Sequence, residues 1–315
     1  MFVLVPASLL GLTLLAADPC PREALEKILF ESREAADPAE RLAQISSRFV
    51  GLPYQFSPLG EGYGVDPEPL CRLDRFDCLS LVEVSLALAL ASEAHEAWAL
   101  LQRIRYLPPK AKKASAQPHP RWLRRLYPAL GQRLDDLQEQ SRLVAYPRRK
   151  HFPLSQWLPL NQKEGFIEDI TESVAGEQVK WMEKALDAET WKNRKRPKYA
   201  PRLSLADIPA GEFRLPVLPI EKVLSLSERI PTGTIVAVVR TDRPDVFDPI
   251  VHMGIWVRKS HGAFLRHAAP KGKRQVVDEP IESFVRRSLS YRNWPVLGLN
   301  LQRARARFID PSPSQ

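Results

Sequence analysis

Between residues 78 and 103 apolar side chains fall on nearly every face of a helical projection, with Leu81, Val82, Val84, Leu86, Leu88, Trp98 and Leu101 among them. A helix with no polar stripe is a buried one, so this segment is expected to run as one long helix through the centre of a domain. Asp77 stands where its N-cap would be. Upstream, residues 21–49 scatter Leu25, Ile28, Leu29, Leu42, Ile45 and Phe49 among charges. That pattern fits two short amphipathic helices broken near Asp37-Pro38. Residues 51–69 are rich in Gly and Pro and form a loop leading straight into the central segment.

Downstream, residues 106–128 read as a linker rich in Pro and Lys, 133–145 as a helix or a helix-to-strand passage, and 177–191 as a helix. The pattern then changes. Residues 234–239, 252–257 and 263–268 are short β-rich runs between turn signals, 281–288 is a short helix, and 296–302 a last strand. Helices first and strands later predict an α+β domain on an antiparallel sheet, not a doubly wound one. No internal repeat is visible.

Composition adds little to the fold but narrows the setting. With 315 residues and 44% hydrophobic content the chain can bury a large core. The net charge of +9 favours an anionic partner. Its basic clusters, around Arg121, Arg148 and Arg194, are short and come with no nucleic-acid motif, so nucleic acid is not expected as a partner. Residues 1–17 form an apolar run ending in small residues, the pattern of a signal peptide, and are too short for a confident membrane span. The expectation is an exported protein, periplasmic or secreted, without stable membrane insertion. The rival reading is a lipoprotein signal at Cys20, although Ala17-Asp18-Pro19 is a poor context for it.

Three cysteines, Cys20, Cys71 and Cys78, leave one thiol over in an oxidising compartment. Cys20 and Cys71 flank the first helical segment and could pair, which would leave Cys78 free. A cysteine in the first turn of a helix feels the positive end of the helix dipole, which favours thiolate. A lone Cys on an apolar helix is more often a small buried side chain. What raises Cys78 above that is its company. His252 heads one β-run and His267 stands in the next, so a hairpin would set a base beside an orienting partner. A zinc site from the same three residues lacks close metal-motif spacing, and no cofactor or metal is expected.

Gly51-Leu-Pro-Tyr54, the Gly-rich loop, Phe76-Asp77-Cys78, Val82-Glu83 and His252-Met253-Gly254, in that order, resemble the NlpC-like branch of papain-fold cell-wall hydrolases. More specifically, they resemble the NlpC-like N-acetylmuramoyl-L-alanine amidase family. Further landmarks are similar at Ile104-Arg105-Tyr106, Arg149-Lys150-His151, Trp157, Asn161, His267-Ala268 and Gly298-Leu299-Asn300. Two positions depart from the family pattern: Gly233 is followed by Thr234 where an acid is usual, and Ser80 replaces Thr.

The resemblance implies a papain-like core in a single domain over residues 18–315, with an insertion at about 106–227 that shapes the substrate site. It implies Cys78 as nucleophile, His252 as base, His267 as its orienting partner and Tyr54 beside the oxyanion. Glu83, Arg149, His151, Trp157 and Asn161 are the expected substrate-binding set, with tryptophan suited to a sugar face and arginine to a carboxylate. The implied substrate is the N-acetylmuramoyl-L-alanine bond of peptidoglycan or a muropeptide. Two alternatives stay open: an endopeptidase cutting the stem peptide after γ-D-glutamate, and a non-catalytic peptidoglycan-binding module.

Overall fold

The computed structural model describes residues 18–108, 144–193 and 203–305. The expected signal peptide, most of the 133–145 helix and all of the basic cluster around Arg121 lie outside the described residues. Helix α1 (Arg22–Glu31) and helix α2 (Pro38–Ser47) take the two amphipathic stretches, with Asp37 capping α2 by accepting from the Ala39 N–H at 3.1 Å. The apolar central segment is two helices, not one: α3 (Cys78–Leu90) and α4 (Ala94–Arg105). Ala91 turns extended (ψ 148°), and Glu96 reaches back to accept from the Ser92 N–H, giving the second helix its own start. All-round burial therefore applies to α3, whereas α4 is amphipathic.

Eight strands form one antiparallel sheet among the described residues: β1 (Ile167–Asp169), β2 (Lys180–Leu186), β3 (Gly211–Pro219), β4 (Ile235–Arg240), β5 (Ile250–Lys259), β6 (Gly262–Ala268), β7 (Val276–Pro280) and β8 (Val296–Ala304). Their order is β2-β3-β8-β4-β5-β6-β7, with β1 also paired to β8. The molecule is thus α+β with an antiparallel sheet, as the order of helical and β-rich segments predicts. β1 and β3 share one edge of β8, at Asp169–Gln302 and Leu218–Leu299, while β4 takes the other.

Of residues 177–191, expected as one helix, only 188–191 are helical, within Ala188–Asn193. Lys180–Leu186 has good helix formers, but it alternates exposed and buried positions, with Met182, Lys184 and Leu186 inward, and pairs along its whole length with β3. Tertiary pairing overrides helix propensity here. β4 is buried on both faces. Ile235, Ala237 and Val239 belong to the apolar core that includes α3 and α4, whereas Val236 and Val238 belong to a second core with Leu299, Leu301 and residues of the Ile281–Leu289 helix. This explains why its sequence is a continuous apolar run and not an alternating one.

Arg266 ties the sheet to the helical layer. Its guanidinium forks onto Asp278 of β7 at 2.7 and 2.9 Å and donates to Ala43 O and Ser46 Oγ in α2. The fork leaves the buried charge paired, as burial requires. Cys20 and Cys71 form a disulfide, and Cys78 is the free cysteine. The cross-link clamps the chain before α1 to the loop before α3 across 51 residues. Replacing both partners by alanine is expected to cost about 3 to 4 kcal/mol in urea denaturation; a loss under about 1 kcal/mol would mean the ends of that loop are already pinned by packing.

Candidate active site

The start of α3 is fixed by Asp77 on two sides. Its Oδ1 accepts from the Ser80 N–H at 2.7 Å while Ser80 Oγ accepts from the Asp77 N–H at 2.9 Å, a reciprocal capping box. Its Oδ2 accepts from the Ser57 N–H at 3.0 Å, which fastens the Gly-rich loop to the helix end. Ser80 fills the N3 role through its hydroxyl. Tyr54 is held nearby by backbone bonds: Phe76 N–H to Pro53 O, Gln55 N–H to Phe76 O, and Tyr54 N–H to Arg274 O at 2.7 Å.

Cys78 opens onto a cavity of about 190 Å³ whose wall also carries His252, Met253, Arg149, His151, Glu83 and Arg105. The structure therefore brings together Cys78, His252, Glu83, Arg149 and His151 around one space. Phe56 and Val251, both exposed, stand among its apolar lining. Tyr54 is close enough to Cys78 that the two influence each other electrostatically, and burial together with Cys78 and Asp77 pushes its phenol up to about 12.

The helix dipole does not win at Cys78. Burial, reinforced by the Asp77 charge, pushes the thiol up to about 12, although the Met253, Leu79 and Cys78 backbone N–H groups oppose the shift. Burial, then the neighbouring His267 and Arg287, lowers His252 to about 3. Both shifts favour neutral thiol and neutral imidazole over thiolate and imidazolium, against the expectation drawn from the helix start.

His252 Nε2 lies 2.7 Å from His267 Nδ1, and the rings meet edge to face. His267 Nε2 in turn lies 3.1 Å from Glu279 Oε2, and Arg287 forks onto the same carboxylate. Burial alone would raise the Glu279 carboxyl, but hydrogen bonds from His267 and Arg287 outweigh it and hold it at about 2. Glu279 and Arg287 were not legible as site residues. Glu279 lies in β7, a strand with no motif of its own, and the signal available was an acid on the strand after a histidine-bearing one.

Gly254 makes room for this contact. A Cβ there would meet Arg266 O at 2.8 Å, Leu265 Cδ1 at 2.9 Å and His267 Cβ at 3.2 Å. The β5–β6 ladder runs from Ile255–Arg266 to Lys259–Gly262, so Gly254 sits where the histidine ends of the two strands pass closest.

The expected ligand set divides. Arg149 and His151 line the cavity, but Arg149 is also bonded to Leu59 O at 2.7 Å and Asp66 at 3.1 Å, and His151 Nε2 donates to Tyr146 O at 2.8 Å. Burial lowers His151 to about 4, so it is neutral. Glu83 reaches the wall, yet its oxygens are occupied by Arg105 at 2.8 Å and the Trp157 indole N–H at 3.2 Å. Trp157 and Asn161, each 0% exposed, present no face to a ligand. The turn over Pro153–Trp157 drives the indole into the core, and Asn161 accepts from Lys150 Nζ at 2.8 Å while donating to Ile104 O. These two expectations are corrected: both side chains support the wall from behind. Asp248 anchors that turn to the strand bearing His252, accepting from the Leu154 and Ile250 N–H groups.

Taken together, fold and site define a class: an α+β protein with an antiparallel sheet, in which a thiol at a helix start and an imidazole on the sheet line one cavity. The chain belongs to the N-acetylmuramoyl-L-alanine amidase-like family (AmiA-like), whose sequence model matches residues 44–115 and 131–290. Among solved structures it is similar to protein LPG0564 from Legionella pneumophila, with 21% identity, a TM-score of 0.68, and coverage of 90% of this chain and 94% of that one. It is also similar to an N-acetylmuramoyl-L-alanine amidase from Bacteroides uniformis, with 17% identity, a TM-score of 0.56, and coverage of 85% and 99%. No curated protein matches the chain. Among the described residues no helix is long and apolar enough to cross a membrane, and no cluster of three or more His, Cys, Asp or Glu could hold a metal ion.

Two outcomes test this geometry. Iodoacetamide is expected to alkylate Cys78 at pH 7 more slowly than free cysteine, with the rate still climbing above pH 9; faster labelling at pH 7 would show a resting thiolate. Gly254→Ala is expected to lose about 2 kcal/mol in thermal or urea unfolding through overpacking, and an unchanged stability would show that β5 and β6 can part without cost.

Proposed function

We propose that this protein is a cysteine amidase that hydrolyses the bond between N-acetylmuramic acid and L-alanine in peptidoglycan or its fragments. The observation that carries the reading is the placement of Cys78 and His252 on one cavity wall, with His252 already hydrogen-bonded to His267. Membership of an amidase-like family supports the substrate class. On this reading the core is papain-like in the NlpC manner, residues 106–227 shape the substrate site, and the protein acts outside the cytoplasm after export.

In the reaction, His252 Nδ1 takes the Cys78 proton, because its Nε2 is engaged by His267. The sulfur attacks the lactyl carbonyl as its proton leaves, so the thiolate forms only when substrate is in place. The Cys78 backbone N–H at the helix start and the nearby Tyr54 hydroxyl receive the developing oxyanion, contacts worth about 3 kcal/mol each in the transition state. The tetrahedral adduct collapses, the C–N bond breaks, and His252 returns the proton to the L-alanine nitrogen. Water then attacks the thioester, giving its proton to His252, and the muramic acid carboxylate and the thiol are released.

Arg149 and His151 serve as polar contacts to the substrate, and Glu83 fixes Arg105 in the wall.

Digestion of purified muropeptides is expected to release stem peptides with free L-alanine amino termini. Cys78→Ala should leave no detectable product, and His252→Ala should lower kcat/KM about 10² to 10⁴-fold. Products cut after γ-D-glutamate would replace this reading with an endopeptidase, and full activity in Cys78→Ala would remove the nucleophile.

A further inference from the structure

We propose that Glu279, held by Arg287, is a positioning residue that fixes which ring nitrogen of His252 carries hydrogen and which is left to take the thiol proton. Its meaning in turnover rests on the Cys78–His252 chemistry proposed above, whereas the hydrogen positions rest on the relay alone. Register sets His267 opposite Val277 and Leu265 opposite Glu279 across β6 and β7, so His267 and Glu279 are diagonal neighbours on one face. The Glu279 Oε2 atom lies 3.1 Å from His267 Nε2 and accepts from Arg287 Nη2 at 2.6 Å, and Oε1 accepts from Arg287 Nε at 3.1 Å.

A carboxylate forked by a guanidinium accepts hydrogens and donates none. His267 Nε2 must therefore carry the hydrogen on that contact. A neutral imidazole protonated at Nε2 has its lone pair at Nδ1. The hydrogen on the 2.7 Å contact between the rings then belongs to His252 Nε2. His252 Nδ1 is left with a lone pair, the state a general base needs. In the opposite arrangement a lone pair on His267 would face the carboxylate, and His252 would bear its hydrogen on Nδ1, unable to accept another there.

The same order serves the charged intermediate. When His252 takes the thiol proton it keeps donating through Nε2 to His267, and the Glu279 charge stabilises the imidazolium through one intervening ring. Glu279 is not among the residues lining the cavity, so it acts through His267 and not on substrate. Arg287 is 44% exposed and is the member of the relay most open to substitution without disturbing the core.

The test reads hydrogen positions directly, by ¹⁵N nuclear magnetic resonance of ring nitrogens in histidine-labelled protein, alongside kcat and KM on muropeptide. In the native chain His252 and His267 are both expected to be protonated at Nε2. Glu279→Leu should mix or reverse these tautomers and lower kcat about a hundredfold with KM within twofold. Glu279→Gln, which keeps an acceptor but not the charge, should retain the tautomers and a kcat between the two. Arg287→Leu should shift the ring signals in the same direction by less, and it keeps the test alive if Glu279→Leu does not fold. Ring signals unchanged in both leucine variants, or a loss carried by KM, would overturn the proposal. A native protein with these tautomers but no muropeptide cleavage would reject the amidase reading and leave the relay standing.

Discussion

Asp77 is the joint on which the site depends. One carboxylate oxygen closes the first turn of α3 and the other holds Ser57 of the preceding loop, so a single side chain fixes both the helix that carries Cys78 and the loop beside it. The helix cannot shift to compensate, because apolar residues around it are packed on every side against α2, α4 and the sheet. An N-cap of this kind is ordinarily worth about 1 kcal/mol. Here it also sets where the Cys78 sulfur meets the His252 strand. The cost is electrostatic: the same carboxylate that positions Cys78 helps keep its proton on.

That tension explains the character of the site. A thiol held high and an imidazole held low both favour their neutral forms at rest. In the proposed reaction charge separates as the sulfur begins to bond, with the backbone N–H groups around it and the Glu279 end of the relay each facing the charge that forms. Burial, which opposes ionisation in the free protein, strengthens both of those contacts once ionisation is coupled to bond formation.

Much of this was legible in the sequence, and the rest had physical reasons for being hidden. The helix start and its cap, the β-runs with the two histidines and the spare thiol are carried as expected, whereas the one long buried helix is split in two at Ala91. Lys180–Leu186 was misjudged because its residue types favour helix and only its partner β3 makes it a strand. Trp157 and Asn161 were misjudged because residue type does not encode exposure; the neighbours that bury them come from α3, α4 and the Lys150 side chain. Glu279 was missed because an acid acquires its role only through a diagonal contact across two strands, which no spacing along the chain displays.

The way β8 is covered has a consequence for which parts of the chain can be exchanged. β1 and β3 both come from the segment between the helical layer and the rest of the sheet, and both are hydrogen-bonded to the same edge of β8. That segment therefore cannot be exchanged as a cassette in the way a surface loop can. Excising it would bare the backbone donors and acceptors of a long strand next to the protein's centre and invite edge-to-edge self-association. Replacements of single side chains in that stretch leave the ladder intact, whereas loss of the stretch would not.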